Sequence, residues 1–376
     1  MKKHLLSTSA IALGLVAAPA SAQEWNLDWG GYMNQHVAFA DVSGTALPAA
    51  GDFDGVGFHS NSEIHFTPSV TLDNGLTFGI NVQFEAENGG GGADGIDETY
   101  MIISGDTLGR IEIGSENSAG YNSMVGAPTV TSMAINSPSI SAFIPLSATL
   151  PFNFSQAGVS ASTEVGGNND VDRISYYTPD FNGLTVGISY ARNNGGNAVG
   201  SHNNNTAATL EDIFDIGVNY SQTFGTTSVS LAARYGSGEA VAAGASDAET
   251  WGIGAQVGFG DFTVGAHYAE NDNENVGGAA SATGTGNQEG WSFGGTYDAP
   301  GAWAFEALTF QGQYDSNGAA LAADMEYTAY KIGASRDMGP GVDWDIYAIY
   351  AEADNKAAAG TEVKGTVIGT AINLSF

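Results

Sequence analysis

The chain has 376 residues, of which 10 are basic and 41 acidic, for a formal net charge of −31, and it has no cysteine. That balance excludes nucleic-acid binding, because phosphates would be repelled. It also leaves the fold to backbone pairing and burial alone, without disulfides.

Lys2 and Lys3 precede an apolar run over residues 5–18 and then Ala20-Ser21-Ala22. This order of positive, apolar and small residues predicts a cleaved secretory signal over 1–22. The run is too short to be a membrane anchor. Residues 23–376 are expected to form one β domain, because glycine, aromatic and β-branched residues dominate and long helix formers are few.

Period-two alternation recurs along that domain. In Leu76–Phe84, Leu76, Phe78, Ile80, Val82 and Phe84 share one face, and Thr77, Gly79, Asn81 and Gln83 share the other. Leu184–Tyr190, Trp251–Phe259 and Phe262–Tyr268 repeat the pattern, each with Gly, Ser, Thr, Gln or His on the second face. The spacing predicts about 16 strands, beginning with 25–40 and 56–72 and ending with 343–354 and 362–376. Short turns such as Asp73-Asn74-Gly75 and Gly260-Asp261 alternate with long polar stretches such as 193–211 and 272–288. Trp29, Trp251, Trp291, Trp303 and Trp344 fall near strand ends.

A soluble β-sandwich is the competing fold. Its strands average about 5–6 residues, whereas many here are long enough to cross a bilayer when tilted. Apolar residues facing out, polar residues facing in and aromatics at both rims fit a transmembrane β-barrel. The fold class is therefore all-β, a 16-stranded antiparallel barrel, whose two end strands must pair because hydrocarbon tolerates no open edge.

One connection breaks the rhythm. Residues 116–170 separate two strands and hold Pro128, Pro138, Pro145 and Pro151 with Phe143, Ile144, Leu146, Phe152 and Phe154. So much apolar side chain needs a wall to pack on, and the barrel lumen offers one.

Arg110-Ile111-Glu112-Ile113-Gly114 before this loop, Asp172–Phe181 (DRISYYTPDF) and Asn182-Gly183-Leu184 after it, and a terminal Phe376 resemble the general bacterial porins of the alphaproteobacterial type. The resemblance covers the chain from Trp25 to Phe376. It implies an outer-membrane homotrimer, a third loop folded inward as the constriction, and passive diffusion of ions and small hydrophilic solutes. It also implies that Phe376 is the signal read by the barrel-assembly machinery. Pores of this family are commonly lined by loop acids facing wall arginines. Here residues 117–163 contain no Asp or Glu, so that acidic eyelet does not carry over intact; Glu116 and Glu164 flank the gap.

Parity places Arg110, Arg173, Arg234 and Lys331 on the lumen face, with Glu63, Glu85, Glu112, Asp215 and Asp345 and with His65 and His267. Pore-lining candidates are Arg110, Glu112, Glu116, Glu164, Arg173, Arg234, Lys331, Glu63 and Glu85. Each is either half of a structural ion pair or a contributor to conductance. The excess of acids predicts cation preference. Outer-membrane lipids surround the barrel in this reading.

No catalytic residue is assigned, since G-x-S-x-G, H-E-x-x-H and cysteine nucleophiles are missing. No cofactor is required. Asp52, Asp54, Asp94, Asp97, Glu98 and the 270–274 run offer oxygen ligands for a weakly bound divalent cation such as calcium, without an EF-hand pattern. A sugar-selective pore and a non-conducting structural or adhesive barrel are the alternative functions.

Overall fold

Two-residue alternation makes strands of most of the chain that the computed structural model describes, namely residues 24–45, 47, 51–88, 95–136, 138–146, 164–165, 170–195, 209–272, 287–315, 324–355 and 361–376. The expected signal over 1–22 lies outside them. The strands are β1 (Trp29–Ser43), β2 (Gly55–Phe66), β3 (Ser69–Thr71), β4 (Thr77–Asn88), β5 (Ile96–Gly105), β6 (Gly109–Glu116), β7 (Val171–Tyr177), β8 (Leu184–Asn193) and β9 (Leu210–Phe224). They continue with β10 (Thr227–Ala240), β11 (Ala248–Phe259), β12 (Phe262–Asp272), β13 (Gln288–Asp298), β14 (Trp303–Tyr314), β15 (Met325–Gly339), β16 (Val342–Asn355) and β17 (Thr361–Ser375).

Each strand pairs antiparallel with its neighbours in one closed sheet. Pro68 has no N–H to give the ladder, so the predicted 56–72 strand is broken there, and β3 continues β2 as one stave. Seventeen segments therefore make 16 staves. The first strand begins at Trp29, later than the expected residue 25, although Asn26 still bridges Ser69.

The ends close the barrel. β1 pairs with β17 from Tyr32↔Ser375 to Ser43↔Lys364. Gly31 and Phe376 exchange backbone hydrogen bonds at 3.2 Å in both directions. The Phe376 ring remains 74% exposed on the outside.

The outer face is apolar and uncovered: Phe58, Ile188, Ile216, Ile253, Phe293 and Ile332 are all exposed. Aromatics rim it at the short-turn end, where Phe259, Phe262, Tyr297, Phe305 and Trp303 stack in succession with centroids 4.6–6.4 Å apart. At the long-loop end, Tyr235, Trp251 and Tyr268 donate to Glu249, Glu270 and Glu289 at 2.8–3.0 Å. Rings with one apolar side and one polar handle suit such boundaries. Tight turns at the first end use Gly225 (φ 65°) and Gly260 (φ 59°), a conformation that side chains disfavour.

Candidate functional site

In its described part, residues 117–136 and 138–146, the β6–β7 connection lies in the lumen and runs round its wall. Ser118 caps a short helix, α1 (Ala119–Ser123), by accepting from Tyr121 N. The loop backbone then meets strand after strand. Ala119 N donates to Ser189 Oγ on β8 (3.1 Å), and Asn219 Nδ2 on β9 donates to Ser123 O (2.9 Å). Gln256 Nε2 on β11 donates to Gly126 O (2.8 Å), and Ala127 N donates to Ser292 Oγ on β13 (3.2 Å).

Inward glycines make room for this path. A Cβ on Gly217 would meet Ser123, one on Gly254 would meet Val125 O, and one on Gly333 would meet Thr131. On alternation alone, Gly254 belongs to the polar inward face of Trp251–Phe259. In the structure all three glycines form the track on which the loop lies.

Glu306 on β14 holds the next stretch. Its Oε2 accepts from Thr129 Oγ1 (2.5 Å), Val130 N (2.6 Å) and Thr131 N (3.3 Å), and its Oε1 accepts from Thr131 Oγ1. Lys331 on β15 pairs with the same carboxylate at 3.0 Å and donates to Met133 O at 2.8 Å. Both side chains are at most 1% exposed. Asp345 on β16 follows, accepting from Ser132 N and Oγ at 2.8 and 2.9 Å and from Asn373 Nδ2 on β17 at 2.7 Å.

Beyond Met133 the loop turns apolar, and the wall beneath it does too. Met133, Ile135, Ile140, Phe143, Ile144 and Leu146 pack on the inward faces of β15, β16, β17 and β1, which present Ala329, Ile349, Ala351, Val363, Ala38 and Ala40. This is the larger of two buried apolar clusters among the described residues; Val165, Val171, Ala191, Leu210, Ile213 and Ala248 form the other, near the root of the loop.

The predicted charges divide into two sets. Lys331 and Arg234 lie beneath the loop and are consumed there. Arg234, with a side chain 0% exposed, pairs with Asp215 and lies 3.7 Å from Glu164. Glu164 Oε1 in turn accepts from Ser118 N at 2.6 Å. The second set sits on β2 to β7. Glu63 pairs with His65 at 3.1 Å, and Glu85 is opposite Glu63 in register. Glu112 is buried and lies 3.1 Å from Arg110, whose guanidinium stacks 4.4 Å from the Tyr177 ring centroid. Glu116 accepts from Asn122 Nδ2 at 2.7 Å. Arg173 is turned inward and buried.

Sequence parity missed Glu98, whose carboxylate accepts from Gln83 Nε2 (2.7 Å) and Asn117 Nδ2 (2.5 Å) at the loop root. It also missed Glu306, the one acid among inward Ala304, Leu308 and Phe310; a lone acid on an apolar stripe was the available signal. Among the described residues, no group of three or more His, Asp or Glu side chains could hold a metal ion. Asp54 is engaged by Val42 N at 2.7 Å, while Asp94 and residues 273–274 lie outside the described residues.

The family model for Gram-negative porins matches residues 7–358. The barrel also resembles solved structures. One is an anion-selective porin from Comamonas acidovorans, with TM-score 0.60 and 18% identity over 94% of this chain and 100% of that one. Another is the outer membrane channel DcaP of Acinetobacter baumannii, with TM-score 0.62 and 12% identity over 94% and 97%. A third is the outer membrane protein OmpT of Vibrio cholerae in its trimer form, with TM-score 0.61 and 13% identity over 94% and 99%. No curated protein matches the chain in sequence.

Proposed function

The chain belongs to the Gram-negative porin family, and from that premise, an outer-membrane channel, we propose passive diffusion of ions and small hydrophilic solutes with a preference for cations. The observation that carries the preference is the partition of charge by the loop. Lys331 and Arg234 are each matched by carboxylates beneath it. Glu63 and Glu85 remain partly exposed on the β2–β4 wall, with Glu98, Glu112 and Glu116 buried behind them and Arg110 and Arg173 as the basic side chains near them. A low-dielectric wall focuses that excess into a negative potential along the path, which raises local cation concentration.

Size selection falls to the loop, which narrows the lumen along the β8–β17 wall. Homotrimeric assembly and reading of Phe376 by the assembly machinery complete the proposal. The ring's exposure at the seam leaves it free to be bound.

Planar-bilayer recording tests this reading. Stepwise openings in triplets are expected from purified protein. A folded preparation without conductance would favour a structural barrel, and saturable sugar flux would favour a substrate-selective pore.

A further inference from the structure

The outer face of β7–β10 carries a recess of about 380 Å³, a size within the range of about 300–1,000 Å³ usual for pockets that hold a small ligand. Ile188 and Ile216 face each other across the β8–β9 ladder, and so do Tyr190 and Phe214, whose ring centroids are 4.9 Å apart. Tyr235 and Ser237 on β10 close the side. Ser237, opposite Phe214 in register, is too small to fill the space between the rings.

A polar cluster stands at the long-loop end of the recess. Tyr190 Oη donates to Asp212 Oδ1 at 2.6 Å, and Arg192 Nη1 donates to the same oxygen at 3.0 Å. Glu211 lies 3.9 Å from Arg192 Nη2. The Arg192 side chain is 45% exposed, and its guanidinium has donors beyond these two. A cation and anions therefore stand side by side at an apolar mouth. This face belongs to the lipid boundary. The row of rings bonded to carboxylates that begins with Tyr190 runs on through Tyr235, Trp251 and Tyr268 on β10, β11 and β12.

We propose that this recess is a fixed lipid seat: one acyl chain lies in it, and a head carrying both a phosphate and an ammonium group meets Arg192 and Asp212. The apolar wall and the dipolar mouth complement the two parts of such a lipid. In hydrocarbon the chain gains only close packing from the recess, so the hydrogen bonds of the head supply the selectivity. The proposal rests on the outer-membrane placement of the barrel. Its test does not use conductance, so its failure and that of the channel reading are separate results.

The test is native mass spectrometry of the purified full protein, released from detergent after incubation with phosphatidylethanolamine or with phosphatidylglycerol, which has the phosphate without the ammonium. The parent is expected to keep phosphatidylethanolamine at collision energies that strip phosphatidylglycerol. Arg192→Gln/Asp212→Asn should weaken phosphatidylethanolamine retention about tenfold, the effect of losing charge-assisted hydrogen bonds. Ile188→Trp/Ile216→Trp, which crowds the recess, should lose the adduct, with heat-modifiable mobility on gels reporting a folded barrel. If the Trp variant does not fold, the rim variant decides alone. Equal retention of the two lipids by the parent, or retention by the variants equal to the parent's, overturns the proposal. An oligomer that dissociates only in the folded Trp variant would assign the recess to a second copy of the chain and overturn it as well.

Discussion

Glu306→Leu should unfasten the loop without unfolding the barrel. The carboxylate accepts from Thr129 Oγ1, Val130 N and both Thr131 donors, and it neutralises a lysine that is 1% exposed. Removing one partner of such a buried pair costs about 3–5 kcal/mol. That shifts the balance between docked and released loop by roughly a hundredfold to a few thousandfold. The barrel itself is held by ladders that Glu306's side chain does not enter, so heat-resistant assembly should persist. Released, the 129–133 stretch should raise open-channel noise in bilayers and let larger sugars through in liposome swelling. Glu306→Leu/Lys331→Leu should be milder than the single change, since it leaves no unpaired charge. A single variant with parental noise and parental solute cut-off would refute the clamp.

Three further outcomes follow from the same geometry. Arg110→Ala removes a partly exposed lumen cation beside Tyr177 and should increase cation selectivity, read as a larger reversal potential in a salt gradient. Gly254→Val puts side chain where Val125 O lies; it should displace the loop and lower conductance, whereas the same change at outward Ala255 should not. Deleting Phe376 removes the rim ring and the backbone bonds to Gly31; it should reduce the yield of assembled protein in the outer membrane more than the conductance of what assembles, read by heat-modifiable mobility on gels.

The barrel was legible because strand parity is a local property. In Trp251–Phe259 the outward residues Trp251, Ile253, Val257 and Phe259 are the exposed ones, as alternation alone requires. The meaning of the other face was not local. Gly254 looks like a residue that suits water, and only the path of a chain segment some 130 residues earlier makes it a seat for Val125. Lys331 and Arg234 lie on the inner wall in the structure. Their neutralisation depends on Glu306, Asp215 and Glu164, which register and loop path bring together.

One clue to the docking wall was present in the sequence. Along Tyr347–Ala353 both faces are apolar or aromatic apart from Glu352, so alternation fails where the loop replaces water. Period two reports a wet lumen, and its loss reports protein on both sides.

Reversal potential across a bilayer in a potassium chloride gradient tests the central claim most directly. If the loop hides the matched lysine and arginine and leaves the acids of β2–β6 to shape the field, the sign must be that of cation permeation. It should weaken in Glu63→Gln/Glu85→Gln. A potential of the opposite sign would contradict the partition of charge on which the account depends.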